Sequence, residues 1–241
     1  AAVVQIEMHI KHELVLENGW SENANLYTIS FRDYVDFVRD SSLYRLRGEL
    51  AEIDLNKIHS RYSRFHRFRE TYAILHVVNI QRALGFLNRF ILDDEYESLN
   101  AAKNICLATM NMLDRDRPGL LPHNYYHPVY RLHAPWYSGM AQGQFVSLVL
   151  RLHSLTAESR FLDVAVDAYR GMVRPVEQGG CSLDLTSGRW YEEYVNPKRP
   201  SYVLNGNCFS VLALSDIVRL QYETAFPGVE DELQSSLHAL E

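Results

Sequence analysis

GMAQGQFVSLVLRLHSLTAESRFLDVAVDAYRGMV, residues 139–173, decides the fold class of this 241-residue chain. Apolar residues recur at helical spacing on both sides of Ala157-Glu158, and so short a joint folds two helices back antiparallel. The pattern repeats outward. ETYAILHVVNIQRALGFLNRFILDD (70–94) keeps Ala73, Leu75, Val78, Ile80, Leu84, Leu87 and Ile91 near helical spacing. YESLNAAKNICLATMNMLD (96–114) does the same with Leu99, Ala102, Ile105, Ala108 and Met112, and stops at the Pro-Gly turn of RDRPGLLP. Helical patterning returns in CFSVLALSDIVRL and GVEDELQSSLHALE. Between them CSLDL, RWYEEYV and SYVLNG read as short extended segments.

Serial helical hairpins with a short β insertion near 181–205 predict a mainly α fold: an (α/α) toroid or an incomplete (α/α) barrel. No internal repeat or low-complexity linker divides the chain, so one domain over 1–241 is expected. Residues 1–45 are its least patterned part, fitting a strand or loop before a first helix.

The apolar share of 47% is enough for a sizeable core, and a net charge of −6 disfavours a general nucleic-acid binder. Cys106, Cys181 and Cys208 are odd in number, far apart and form no C-x-x-C pair, so neither zinc nor a disulfide framework is expected. The N-terminus is broken by Glu7, His9 and Lys11 and reads as neither signal peptide nor membrane span. Nothing in the sequence specifies a compartment, a cofactor or a metal.

Three stretches could carry chemistry. RWYEEYVNPKRPSYVLNG (189–206) sets Trp190, Tyr191 and Tyr194 around Glu192 and Glu193 before two prolines and Asn205-Gly206. It is either an aromatic-rich turn or a group able to hold and deprotonate a sugar. APWYSGMAQGQ places Trp136 and Tyr137 before a helix whose first turns carry Gly139, Gln142, Gly143 and Gln144. The glycines admit a close neighbour, helix or ligand, and the glutamines and aromatics suit sugar hydroxyls and a sugar face. KIHSRYSRFHRFRE interleaves Arg61, Arg64, Arg67 and Arg69 with Tyr62, Phe65 and Phe68; it is a solvated face or a receiver of polyanion charge. PHNYYHPVYRLH, with His123, His127 and His133, has no metal-ligand spacing and reads as a cleft-lining loop. G-x-S-x-G, G-x-G-x-x-G and P-loop patterns are absent.

PWYSGMAQGQ, WYEEYVNPKRPSYVLNG and FSVLALSDI, in this order and spacing, resemble the C-terminal domain of glucuronyl 5-epimerases, most clearly over residues 115–220. The resemblance implies an α/α toroid and conversion of D-glucuronate to L-iduronate within a polysaccharide, with no cofactor. It implies catalytic roles for Tyr194, as a proton-transfer group, and for Glu193, either as the base or as the group that tunes Tyr194. It implies substrate contacts for Tyr137, Gln142, Gln144, Tyr191 and Asn205, with Trp136 as a further candidate; Arg61 and Arg64 are candidates from the basic patch alone. The implied partner is a glucuronate-containing polyanionic glycan, and a homodimer is a compatible assembly. The family's pattern continues into segments like TIYDLRH and WDYHTTH, which bring a second catalytic tyrosine and a carboxylate-binding arginine. These 241 residues hold no counterpart of either, so a one-sided or shortened catalytic domain is expected. A polysaccharide lyase drawing on the same carbon-5 carbanion and a non-catalytic glycan-binding module are the alternatives; a protein-binding helical scaffold would leave the Trp, Tyr and Glu cluster without a purpose.

Overall fold

The computed structural model describes residues 52–54, 72–127 and 129–240. A short antiparallel pair, β1 (Glu52–Asp54) and β2 (Tyr72–Ile74), leads into α1 (His76–Asp93) and α2 (Tyr96–Met110). A long irregular segment then reaches α3 (Gly139–Thr156) and α4 (Ser159–Val173). The hairpin β3 (Ser182–Leu185) and β4 (Gly188–Tyr191) precedes α5 (Leu204–Arg219) and α6 (Val229–His238). The result is the mainly α architecture of helical hairpins with a short β insertion that the patterning predicts.

Helix α3 is the centre, packing against α1, α4 and α5. Its residues from Gly139 to Leu150 are all buried, as expected of a helix apolar around most of its circumference and walled in on several sides. Ser138 caps it, its hydroxyl accepting from the Ala141 N–H at 3.2 Å, and Ala157 closes it in the left-handed region at φ +57°. Phe145, Leu148, Ile80, Ile105, Phe161 and Leu214 anchor the main core from α3 and its neighbours.

The glycines of α3 are packing residues. A Cβ on Gly143 would lie 2.7 Å from the Phe209 carbonyl oxygen and from Ser210 Cα, so α5 sits against it; one on Gly139 would lie 2.7 Å from the Glu192 carbonyl oxygen. Farther along, Asp216 of α5 receives Arg151 of α3 through two oxygens, at 2.9 and 3.2 Å from Nη2, and Arg219 at 2.7 Å. Buried charge paired this fully fixes the sliding register of the two helices.

Two expectations need correction. Residues 72–74 form a strand because Glu52–Asp54 pairs with them, and the helix starts only at His76. SYVLNG is extended only as far as Val203, the N-cap residue at ψ 113°, and α5 begins at Leu204. The arginine-rich stretch 57–70, including Arg61 and Arg64, lies outside the described residues.

Candidate active site

The β3–β4 hairpin delivers the two glutamates to opposite duties. Ser182 pairs with Tyr191 and Leu183 with Trp190, so the chain leaves the sheet at Glu192. There the Glu192 N–H donates to the Cys181 carbonyl at 2.8 Å and the Glu192 carbonyl accepts from Gly139 N–H at 2.8 Å, tying the hairpin to the start of α3. The Glu192 carboxylate accepts from Ser201 Oγ at 2.7 Å, from Tyr202 N–H at 2.9 Å and from Ser201 N–H. Fully bonded, it is the clasp that closes the 192–202 loop.

Glu193 is the opposite case. It is 5% exposed, and among the described residues its Oε2 has no well-formed hydrogen bond, the Gly206 backbone N–H being its one weak neighbour. The first turn of α5 presses on it: a Cβ on Gly206 would lie 2.3 Å from Glu193 Cβ, so only glycine fits there. Burial pushes the Glu193 carboxyl up to about 7; a hydrogen bond from Tyr194 lowers it in part, and the Glu192 charge raises it.

Tyr194 is 1% exposed and lies in an aromatic cluster. Tyr130 stacks on it with ring centroids 3.9 Å apart and planes 16° from parallel, His127 meets it edge-on at 4.8 Å, and Trp136 lies at 5.9 Å. The indole N–H of Trp136 donates to the Tyr125 carbonyl at 2.8 Å, and His123 stacks on its face at 4.0 Å. His76 closes the group, bonded to the Pro122 carbonyl at 3.0 Å and edge-on to His123 at 5.1 Å. Burial holds His76 and His127 down at about 4 and His123 well below the ordinary imidazole value, so near neutral pH these rings pack uncharged. Among the described residues, no group of His, Cys, Asp or Glu is arranged to hold a metal ion.

The other candidates scatter. Trp136 is in the cluster. Asn205 is exposed in the first turn of α5, while its neighbour Asn207 is buried and accepts the Tyr191 N–H at 2.9 Å. Tyr191 turns away from Glu193 into the main core, its hydroxyl donating to Glu232 Oε2 at 3.0 Å. Tyr137 packs in a separate pocket of the core with its hydroxyl on Asp114 and Arg117 over its ring at 5.1 Å; burial and Asp114 raise its phenol to about 12. Gln142 is saturated, donating to the Gly119 carbonyl and, at 3.0 Å, the Ala168 carbonyl, and accepting from Leu121 N–H at 3.2 Å. Gln144 is buried with both amide atoms unpartnered among the described residues. Sequence reasoning missed His76, Tyr130 and Gly206. The Asn-Gly-Asn run and the aromatic density of PHNYYHPVYRLH were the available signals for the last two.

Comparison with known proteins gives these residues a context. A family model described as the D-glucuronyl C5-epimerase C-terminus matches residues 117–240, which include Tyr130, Trp136, Glu193, Tyr194 and Gly206. A D-glucuronyl C5-epimerase of Caenorhabditis elegans is 33% identical over 87 residues, 36% of this chain and 14% of that protein's length. Among solved structures, an inactive variant of a Salegentibacter α-1,6-mannanase in complex with α-1,6-mannotriose aligns with 89% of this chain and 59% of its own, at 17% identity and a TM-score of 0.48. With more than half of its length matched by the family model, the chain belongs to the D-glucuronyl C5-epimerase C-terminal family.

Proposed function

We propose that the chain acts on glucuronate units of a polysaccharide by proton transfer at carbon 5, with Glu193 and Tyr194 as the proton-carrying pair. The observation that carries this reading is the contrast between the two glutamates. Glu192 is bonded on both oxygens, whereas Glu193 is buried, short of a well-formed partner at one oxygen among the described residues, bonded by Tyr194 and raised to about 7. An acid whose two forms coexist near neutral pH is what general acid–base catalysis requires.

The chemistry follows. The carbon-5 hydrogen of a uronate is acidified by the neighbouring carboxylate. When its C–H bond breaks, the electron pair delocalises into that carboxylate, and a cation or a proton must offset the added charge. Ionised Glu193 takes the Tyr194 hydroxyl proton as the phenol oxygen takes the carbon-5 proton, and the reverse sequence returns one. One such pair serves one face of the sugar; inversion to iduronate calls for a second carrier on the other face. Asn205, Gln144, Arg61 and Arg64 are proposed as substrate contacts, the two arginines lying outside the described residues. For Tyr191, Tyr137 and Gln142 the polar groups are already occupied inside the protein.

Hydrogen exchange tests the pair by itself, because removal and return on one face suffices. The chain is incubated with glucuronate polymer in heavy water and carbon-5 deuterium is read by NMR. Exchange without chain cleavage, lost in Tyr194→Phe, supports the proposal. An ultraviolet-absorbing unsaturated end with shortened chains would identify a lyase instead, and polymer binding with no exchange a binding module.

A further inference from the structure

Tyr194 cannot be the first side chain a substrate meets, since it is 1% exposed. Among the described rings packed on it, Tyr130 is half-buried where His127 and Trp136 are buried, and it lies flat against Tyr194 at 3.9 Å and 16°. We propose that Tyr130 is the substrate-facing member of this site, an aromatic platform that stacks the sugar next to the reacting glucuronate, leaves the Tyr194 hydroxyl to carbon 5, and holds Tyr194 in position. The proposal rests on the glucuronate-polymer reading above.

The backbone sets Tyr130 firmly. It lies at the tip of a small hairpin closed by His127 N–H to the Leu132 carbonyl at 2.9 Å and by the reciprocal bond at 3.1 Å. Its own N–H donates to His127 Nδ1 at 3.4 Å, and the tip turns at Arg131 in the left-handed region, φ +53°. Arg131, next in the chain, is exposed, so the tip carries an aromatic residue followed by a cation. That pair matches a uronate polymer, which has C–H faces to stack and carboxylates to neutralise. The Tyr130 hydroxyl also belongs to the site electrically. Burial, then Glu193, then Glu192 raise it above the ordinary phenol value, so it stays a protonated donor under working conditions. A ring serving only to cover Leu75, Leu132 and Trp136 would need neither the hydroxyl nor an aromatic face.

Titration calorimetry with a glucuronate polymer separates these roles. Tyr130→Phe keeps the platform and should bind within about threefold of the native chain. Tyr130→Leu keeps an apolar cover without the π face and should bind about tenfold more weakly. Native-like binding by the Leu variant would overturn the proposal and leave the polymer reading standing; failure of the native chain to bind would overturn both. A measurement on the native protein guards against a misfolded variant. Saturating polymer should protect Tyr130 from nitration by tetranitromethane, read by peptide mapping, and unchanged nitration at Tyr130 would also overturn it.

Discussion

Replacing Glu193 with Gln should make the protein more stable and abolish carbon-5 exchange. The magnitude follows from the environment of the carboxyl. Its ordinary value is 4.5 and burial raises it to about 7 in the folded state. The folded state therefore binds the Glu193 proton more tightly than the unfolded chain does. Whatever stability the protonated group contributes is complete below pH 4.5 and is lost as pH rises through 7. Fully ionised, the buried carboxylate costs about 3 kcal/mol, at 1.36 kcal/mol per pKa unit. Glutamine has nearly the same shape and never ionises. Denaturant unfolding of both proteins should then give the Gln variant an advantage of about 3 kcal/mol at pH 8, about 1 kcal/mol at pH 5 and almost none at pH 4. Buried histidines titrate in the same range, but both proteins carry them, so the difference isolates Glu193. A Gln variant that is less stable at pH 8, or whose advantage does not change with pH, would refute the reasoning: Glu193 would then be a paired structural carboxylate.

His76 should give the opposite slope. Its pKa is depressed from 6.5 to about 4, so the unfolded chain takes up protons first and stability falls as pH drops through that window. In His76→Gln the stability lost between pH 7 and pH 4 should shrink by about 3 kcal/mol, measured by the same unfolding series. Gly143→Ala places a methyl 2.7 Å from the Phe209 carbonyl oxygen and should cost about 1–3 kcal/mol, seen as a lower melting temperature. Arg151→Met leaves Asp216 to Arg219 alone and should cost about 1–3 kcal/mol in denaturant unfolding; a neutral result would mean that Arg219 suffices.

Helices were the most legible part of the sequence. GMAQGQFVSLVLRLHSLT has the bounds of α3 to the residue, because a serine cap and a long apolar run mark both ends. The strand at 72–74 was hidden because its partner lies some twenty residues away, at 52–54, and the local pattern favours helix. Within the site, residue type marked the whole Trp, Tyr and Glu cluster, and only the resemblance to the epimerase motif separated Glu193 and Tyr194 from Glu192 and Tyr191. Residue type does not say which polar groups the fold has already engaged. Gln142 and Tyr191 look like ligand contacts until Gly119, Ala168 and Glu232 are found bonded to them. Asn205 and Asn207 are likewise indistinguishable until the helix phase exposes one and buries the other.

Helix α5 joins two contacts that look unrelated in sequence. Gly206 at its start bears on Glu193, and Asp216, about 15 Å further along at 1.5 Å per residue, is clamped by Arg151. Slack in the clamp would be transmitted along the rod and felt at the far end as a change in how closely Gly206 crowds the acid. With Glu193 in the proton-transfer role proposed above, the pH–rate profile would read the fit of that helix from a distance.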